Sequence, residues 1–216
     1  MKIDIGRAIG AVTRAVTSRD HEGRPARVVL ASRTYDTTPQ DVWDAITSAE
    51  RIPRWFLPIT GDLRLGGRYQ LQGNAGGEIT RCEPPRRLAV TWEYGGDVSW
   101  LTVQLAEDPG GGTRLDLEHV AHVGEDRWDQ FGPGAVGVGW DLAIMGLGRH
   151  LETGASADPQ QGMAWMASPE GKEFMRRCSE DWCRASIAGG TDQAAATAAA
   201  QRTTAFYTGE GGFTGG

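Results

Sequence analysis

The chain has 216 residues, enough for one ordinary domain with a sizeable core, and its 39% hydrophobic and 23% charged residues are those of a globular protein. The formal net charge is −6 and no Lys/Arg-rich block occurs. That excludes the usual nucleic-acid binders, which need clustered cations for counterion release, and equally argues against an anionic membrane surface.

The N-terminus, Met1-Lys2-Ile3-Asp4-Ile5-Gly6-Arg7, carries an acid and two bases where a signal peptide needs an uninterrupted apolar stretch, and no apolar run approaches the length of a bilayer span. The expected location is cytoplasmic. Ile5, Ile9, Val12 and Val16 recur at helical spacing, which predicts a short amphipathic helix ended by Gly23 to Pro25. Arg27 to Tyr35 reads as a first strand, rich in Val and Thr. Thr38 is placed to cap a helix with Pro39 in its first turn and Asp41 at the capping-box position, and Thr47-Ser48-Ala49-Glu50 reads as a second such start.

From Gly61 the period changes to two. Tyr69 and Leu71, then Leu88, Val90 and Trp92, then Leu101, Val103 and Leu105, and finally Leu115, Leu117 and His119 alternate with polar or outward neighbours, as in strands with one buried face. Glycine-rich stretches at 73–77, 95–97 and 108–112 supply the turns. After Gly132-Pro133-Gly134 the helical period returns, with Val136, Trp140, Ala143, Ile144, Leu147 and Leu151 on one face until Gly154. Helices are then expected from Asp158-Pro159, from Ser168-Pro169 through Phe174, Met175 and Trp182, and after Thr191-Asp192. The resulting organisation is an N-terminal helical extension (1–25), a central domain (26–153), a helical appendix (154–208) and a disordered tail (209–216).

Strand, two small helices, antiparallel run and closing helix form the helix-grip order, an α+β fold. Arg33, Asp36, Val42-Trp43, Ala45, Thr47, Trp55-Phe56, Gly66-Gly67, Pro84-Pro85, Leu88, Thr91-Trp92, Gly112-Thr113-Arg114-Leu115, His119 and Gly139-Trp140 together resemble one family in particular. These are the bacterial relatives of the C-terminal domain of the heat-shock-protein ATPase activator, within the START-like (SRPBCC) superfamily of pollen-allergen-like and polyketide-cyclase-like domains. The likeness covers roughly residues 26 to 152, and it departs from the family pattern at Thr37-Thr38, where Ala-Pro is usual. It implies an antiparallel sheet curled around a long helix with a cavity between them. Some relatives use that cavity for lipids, sterols or polyketides, a few catalyse cyclisation, and others act on a chaperone.

Candidate site residues follow from the inward phase: Tyr69, Trp92, His119 and Trp140 are expected around one cavity, with Trp55 near its mouth. Packing alone would also explain the aromatics. His119 is open to two roles, a donor or general base towards a ligand, or a core histidine bonded to a neighbour. Glu78 either turns inward beside it as an acid/base partner or outward into water. His122 falls on the opposite face, so the two histidines cannot share a metal on a regular strand. Three cysteines form no disulfide framework, and Cys178 and Cys183 have no histidine nearby to complete a metal site. Nucleophile-elbow, phosphate-loop, dinucleotide and zinc-protease motifs are absent, so neither cofactor nor metal is expected. The leading functional expectation is binding of a small, largely apolar ligand. The alternatives are a cyclase, dehydratase or hydrolase with His119 as acid/base, and a chaperone- or regulator-associated module. A protein partner or a homodimer is compatible with each.

Overall fold

The computed structural model describes residues 3–210. Eight strands, β1 (Thr13–His21), β2 (Arg24–Tyr35), β3 (Ile59–Gly61), β4 (Arg68–Leu71), β5 (Gly76–Glu83), β6 (Arg87–Tyr94), β7 (Asp97–Glu107) and β8 (Thr113–Ala121), form one open antiparallel sheet. Their order is β1-β2-β8-β7-β6-β5-β4-β3. The helices are α1 (Ile5–Gly10), α2 (Pro39–Thr47), α3 (Glu125–Phe131), α4 (Gly134–Thr153), α5 (Pro159–Ala167), α6 (Pro169–Ala188) and α7 (Gln193–Thr208), with a 3-10 turn at Ile52–Arg54. This is the α+β helix-grip architecture that the change of period predicts.

The chain divides into two compact units, one of residues 1–31, 123–142 and 158–216, the other of residues 32–122 and 143–157. In the first, α6 buries Phe174, Met175 and Trp182 completely, and Trp165 of α5 meets Phe174 edge-on at 5.7 Å. In the second, the C-terminal half of α4 is bonded to the end of β2. Tyr35 Oη donates to the Ile144 carbonyl at 3.1 Å, and Arg33 Nη1 reaches the same oxygen at 3.3 Å. Gly146 allows a further close approach there, since a Cβ on it would stand 2.7 Å from the Trp55 carbonyl.

Several local expectations are corrected. The N-terminal helix does not reach Val16: it stops at Gly10, and residues 13–21 form β1. A spacing of four serves a period of two as well as one of 3.6, and the Val/Thr content of the segment favours the strand. The turn at Glu22-Gly23 (φ 52° and 75°) then closes a β1–β2 hairpin, and β2 runs through the boundary expected near residue 25. Thr47 does not start the second helical turn; it ends α2, its hydroxyl donating to the Trp43 carbonyl, while Ser48 Oγ accepts from Glu50 N. Asp41 lies in the first turn of α2, but its carboxylate accepts from Thr37 Oγ1 and Arg51 instead of closing a reciprocal box. Gly124 opens α3, which buries Trp128 under the Arg27 guanidinium, 4.8 Å from the ring centre. Val136, expected on the inner face of α4, is 39% exposed. In the tail, Gly209 adopts the left-handed conformation that caps α7, and 211–216 lie outside the described residues.

Candidate functional site

The inner face of the second unit is assembled by strand register. Tyr69 lies opposite Gly77, Ile79 opposite Val90, Cys82 opposite Leu88, Val90 opposite Leu101, and Leu101 opposite His119. Ile52, Tyr69, Leu71, Ile79 and Val90 close into a buried cluster, and Phe56, Leu57, Ile59, Leu63, Leu88, Trp92 and Leu101 pack against it while remaining only partly covered. Gly77 is required by this arrangement, because a Cβ there would meet the Thr91 carbonyl at 2.0 Å. Tyr69 uses the same carbonyl, donating its hydroxyl proton at 2.8 Å, and burial pushes that phenol well above the usual tyrosine range.

His119 is a buried polar side chain of this face, 5% exposed. Its Nε2 is 2.8 Å from Ser99 Oγ, and that hydroxyl donates onward to the Trp92 carbonyl at 3.1 Å. A hydroxyl has one proton, so the histidine is the donor in the first bond and is protonated on Nε2. Desolvation lowers its pKa to about 4, leaving a neutral imidazole near pH 7. The Trp92 ring is tilted against it at 6.4 Å between centres. Trp55 donates its indole N–H to the Ala45 carbonyl at 2.9 Å and stacks on Phe56 at 5.4 Å. Thus Tyr69 and Trp92 share the apolar cluster, His119 touches Trp92, and Trp55 adjoins the cluster through Phe56. Trp140, 8% exposed, lies in the part of α4 that belongs to the other compact unit.

Glu78 is exposed and does not turn inward. The β5–β6 register shifts between Ile79 and Arg81, and this bulge puts Glu78 and Arg81 both in solvent, where strict alternation would separate them. Ser99 was legible, since it shares its phase with Leu101, but a serine in an apolar row gives little chemical signal. A second buried polar group, in the first unit, had no local signal at all. Asp141 (1% exposed) is gripped by Arg14 Nε and Nη2 and by the Trp182 indole N–H at 2.9 Å, and Arg14 continues to Asp181 at 3.0 Å. Burial acts against ionisation of Asp141 and of the adjoining Cys178 thiol, raising both pKa values.

A depression of about 490 Å³ opens between Asp36–Pro39 and the Glu107–Gly112 turn, but its lining is polar and acidic, unlike the inner face. Among the described residues no three His, Cys, Asp or Glu side chains converge to hold a metal ion, and no helix is long and apolar enough to cross a membrane.

Residues 36–152 match the family described as Activator of Hsp90 ATPase homolog 1-like protein. Among solved structures, the chain is similar to CalU16 from Micromonospora echinospora. The crystal structure shares 36% identity over 81% of this chain and 98% of that one, with a TM-score of 0.66. The solution structure gives 36% over 83% and 97%, with a TM-score of 0.69. MLL2253 from Mesorhizobium loti, 23% identical over 58% of this chain and 97% of that one, shares the fold at a TM-score of 0.52. Comparison with curated proteins finds no match. With more than half of its length inside the match and a 36% identical relative covered almost end to end, the chain belongs to the Activator of Hsp90 ATPase homolog 1-like family.

Proposed function

We propose that the protein binds a small, largely apolar ligand on the inner face of the sheet in the second unit, in the cytoplasm and without a redox cofactor or metal. The observation that carries this reading is the half-covered row beside the closed cluster: Trp92, Leu88 and Leu101 on the strands, with Phe56 and Leu57 before β3. Each Å² of such surface taken from water is worth about 25 cal/mol, so a ligand that completes the row gains affinity from area already arranged. The polar equipment of the face is sparse, a neutral His119 and Ser99. A histidine with a pKa of about 4 is poorly matched to proton transfer near neutrality, which weighs against the cyclase, dehydratase or hydrolase reading.

The test is titration with 1-anilinonaphthalene-8-sulfonate, followed by probe emission and indole quenching, beside native mass spectrometry of protein purified from its source cells. One saturable site is expected, weakened at least about tenfold by Leu88→Asp at unchanged fold, because a carboxylate in that row must be desolvated. Absence of saturable binding by the probe and by a panel of apolar compounds would remove the reading. The chaperone- or regulator-associated alternative finds its support in Tyr94 and Val98, 62% and 49% exposed beside the β6–β7 turn. Tyr94→Ser with Val98→Ser should leave probe binding intact if that tip serves a protein instead.

A further inference from the structure

The β6–β7 hairpin turns on Gly95 and Gly96, with φ of 61° and 87°, the left-handed pair that a two-residue type I′ turn requires. From that turn the register runs without a shift. Tyr94 is opposite Asp97, Glu93 opposite Val98, Trp92 opposite Ser99, and the ladder continues to Arg87 opposite Gln104. An unbroken ladder keeps the period of two intact. Leu88, Val90, Trp92 and Tyr94 therefore stand on one side of β6, and it is the side of the buried cluster, which holds Val90. Val98 stands on the other side, in phase with Trp100.

Exposure climbs along this row towards the turn. Val90 is 7% exposed, Trp92 is half-buried, and Tyr94 is 62% exposed. A solitary exposed tyrosine is ordinary; one that prolongs a half-covered apolar row adds to a surface already arranged for burial. The strands on one flank leave room beside it. Ser99 is opposite Trp92 on β7, Ala121 is opposite Ser99 on β8, and both are small. At about 3.4 Å per residue, the stretch from Leu88 to Tyr94 spans about 20 Å. Its far end is wet, with Asp97 exposed beside Tyr94.

We propose that the ligand of this face is elongated, a molecule of about 20 Å with its apolar body along Leu88 to Trp92 and a polar end leaving past Tyr94, and that Tyr94 selects for its length. The proposal rests on the ligand-binding reading and narrows it. A compact ligand fills the deep end of the row and never meets Tyr94. An elongated one covers the phenol ring and gains affinity from each apolar group laid against it, while the hydroxyl stays in water.

Two probes with the same ends and different lengths, dansylglycine and 11-(dansylamino)undecanoate, test this on the full chain by dansyl emission. The native chain should bind the longer at least about thirtyfold more tightly. Tyr94→Ser should weaken the longer about tenfold and leave the shorter within about twofold, whereas Tyr94→Phe, which keeps the ring, should leave both within about threefold. Val98→Ser, on the other face, should change neither by more than about twofold. Both side chains are exposed, so the variants should keep the native melting curve. Equal affinity of the native chain for the two probes would overturn the proposal and leave a compact ligand, and with it the ligand-binding reading, in place. So would Tyr94→Ser if it spared the longer probe or weakened both alike. Equal losses of the longer probe from Tyr94→Ser and Val98→Ser would put it around the turn as a whole and overturn the assignment to one face. If neither probe bound saturably, the reading and the proposal would fall together.

Discussion

In the first unit a carboxylate is shut away from water at 1% exposure, with Arg14, the Trp182 indole and the Cys178 thiol around it. In the second, a buried polar side chain of the inner face is a histidine kept neutral, and apolar side chains beside it stay half open. A charge can be taken that deep only against an opposite charge with its hydrogen bonds made, so the groups around Asp141 are used up in holding the fold. The apolar row has no such obligation. Polar burial here marks architecture, and the unfinished apolar burial is the feature on which the proposed ligand binding rests.

Removing one member of the Asp141 knot is the most severe way to test that distinction. Asp141→Ala leaves Arg14 buried beside Asp181 alone and should cost about 3–5 kcal/mol in urea unfolding. The double change Arg14→Met with Asp141→Leu should recover most of the loss, since an apolar pair needs no desolvation. A loss below about 1 kcal/mol for the single variant would mean the knot is solvated in solution, and the contrast between the regions would collapse.

The next effect is a pH dependence from His119. Its folded pKa of about 4 lies below the ordinary 6.5, so on acidification the unfolded chain takes up a proton that the folded one refuses. The stabilisation from this group is complete above pH 6.5 and is lost progressively as pH falls towards 4, amounting to about 3 kcal/mol in all. His119→Gln should remove that component, so the difference between the two stability–pH curves isolates it from the carboxylates. Coincident curves would place His119 in water and take the inner face with it.

How much of this was readable beforehand follows from distance along the chain. Alternation within strands needs only neighbouring residues, so the inward phase of Tyr69, Trp92, Leu101 and His119 was legible, as were α4 and α6. The β5 bulge was not, because an extra residue shows itself only against the partner strand. Arg14 and Asp141 are 127 positions apart, and no pattern in either stretch announces the other. Trp140 shows the limit of periodicity on a helix: its spacing puts it on the face of Ala143 and Leu147, yet the chain changes compact unit between Leu142 and Ala143.

The finest discrimination comes from two tryptophans on adjacent strands. Trp92 points to the inner face; Trp100, opposite Thr91 in the register, points to the outer one, where its ring meets His122 edge-on at 5.2 Å. Trp100→Ala forfeits that aromatic contact, about 0.5–1.5 kcal/mol of stability beyond its area, and should leave affinity for the naphthalene probe within about twofold. Trp92→Ala removes half-covered ring area beside His119 and should weaken the probe about tenfold, with a modest loss of stability because the ring was never fully buried. Each variant keeps seven of the eight indoles, so binding must be read from probe emission and not from indole quenching. Equal affinity losses from the two changes would mean the probe does not distinguish the faces, and a loss confined to Trp100→Ala would move the site to the outer surface and favour a protein partner there.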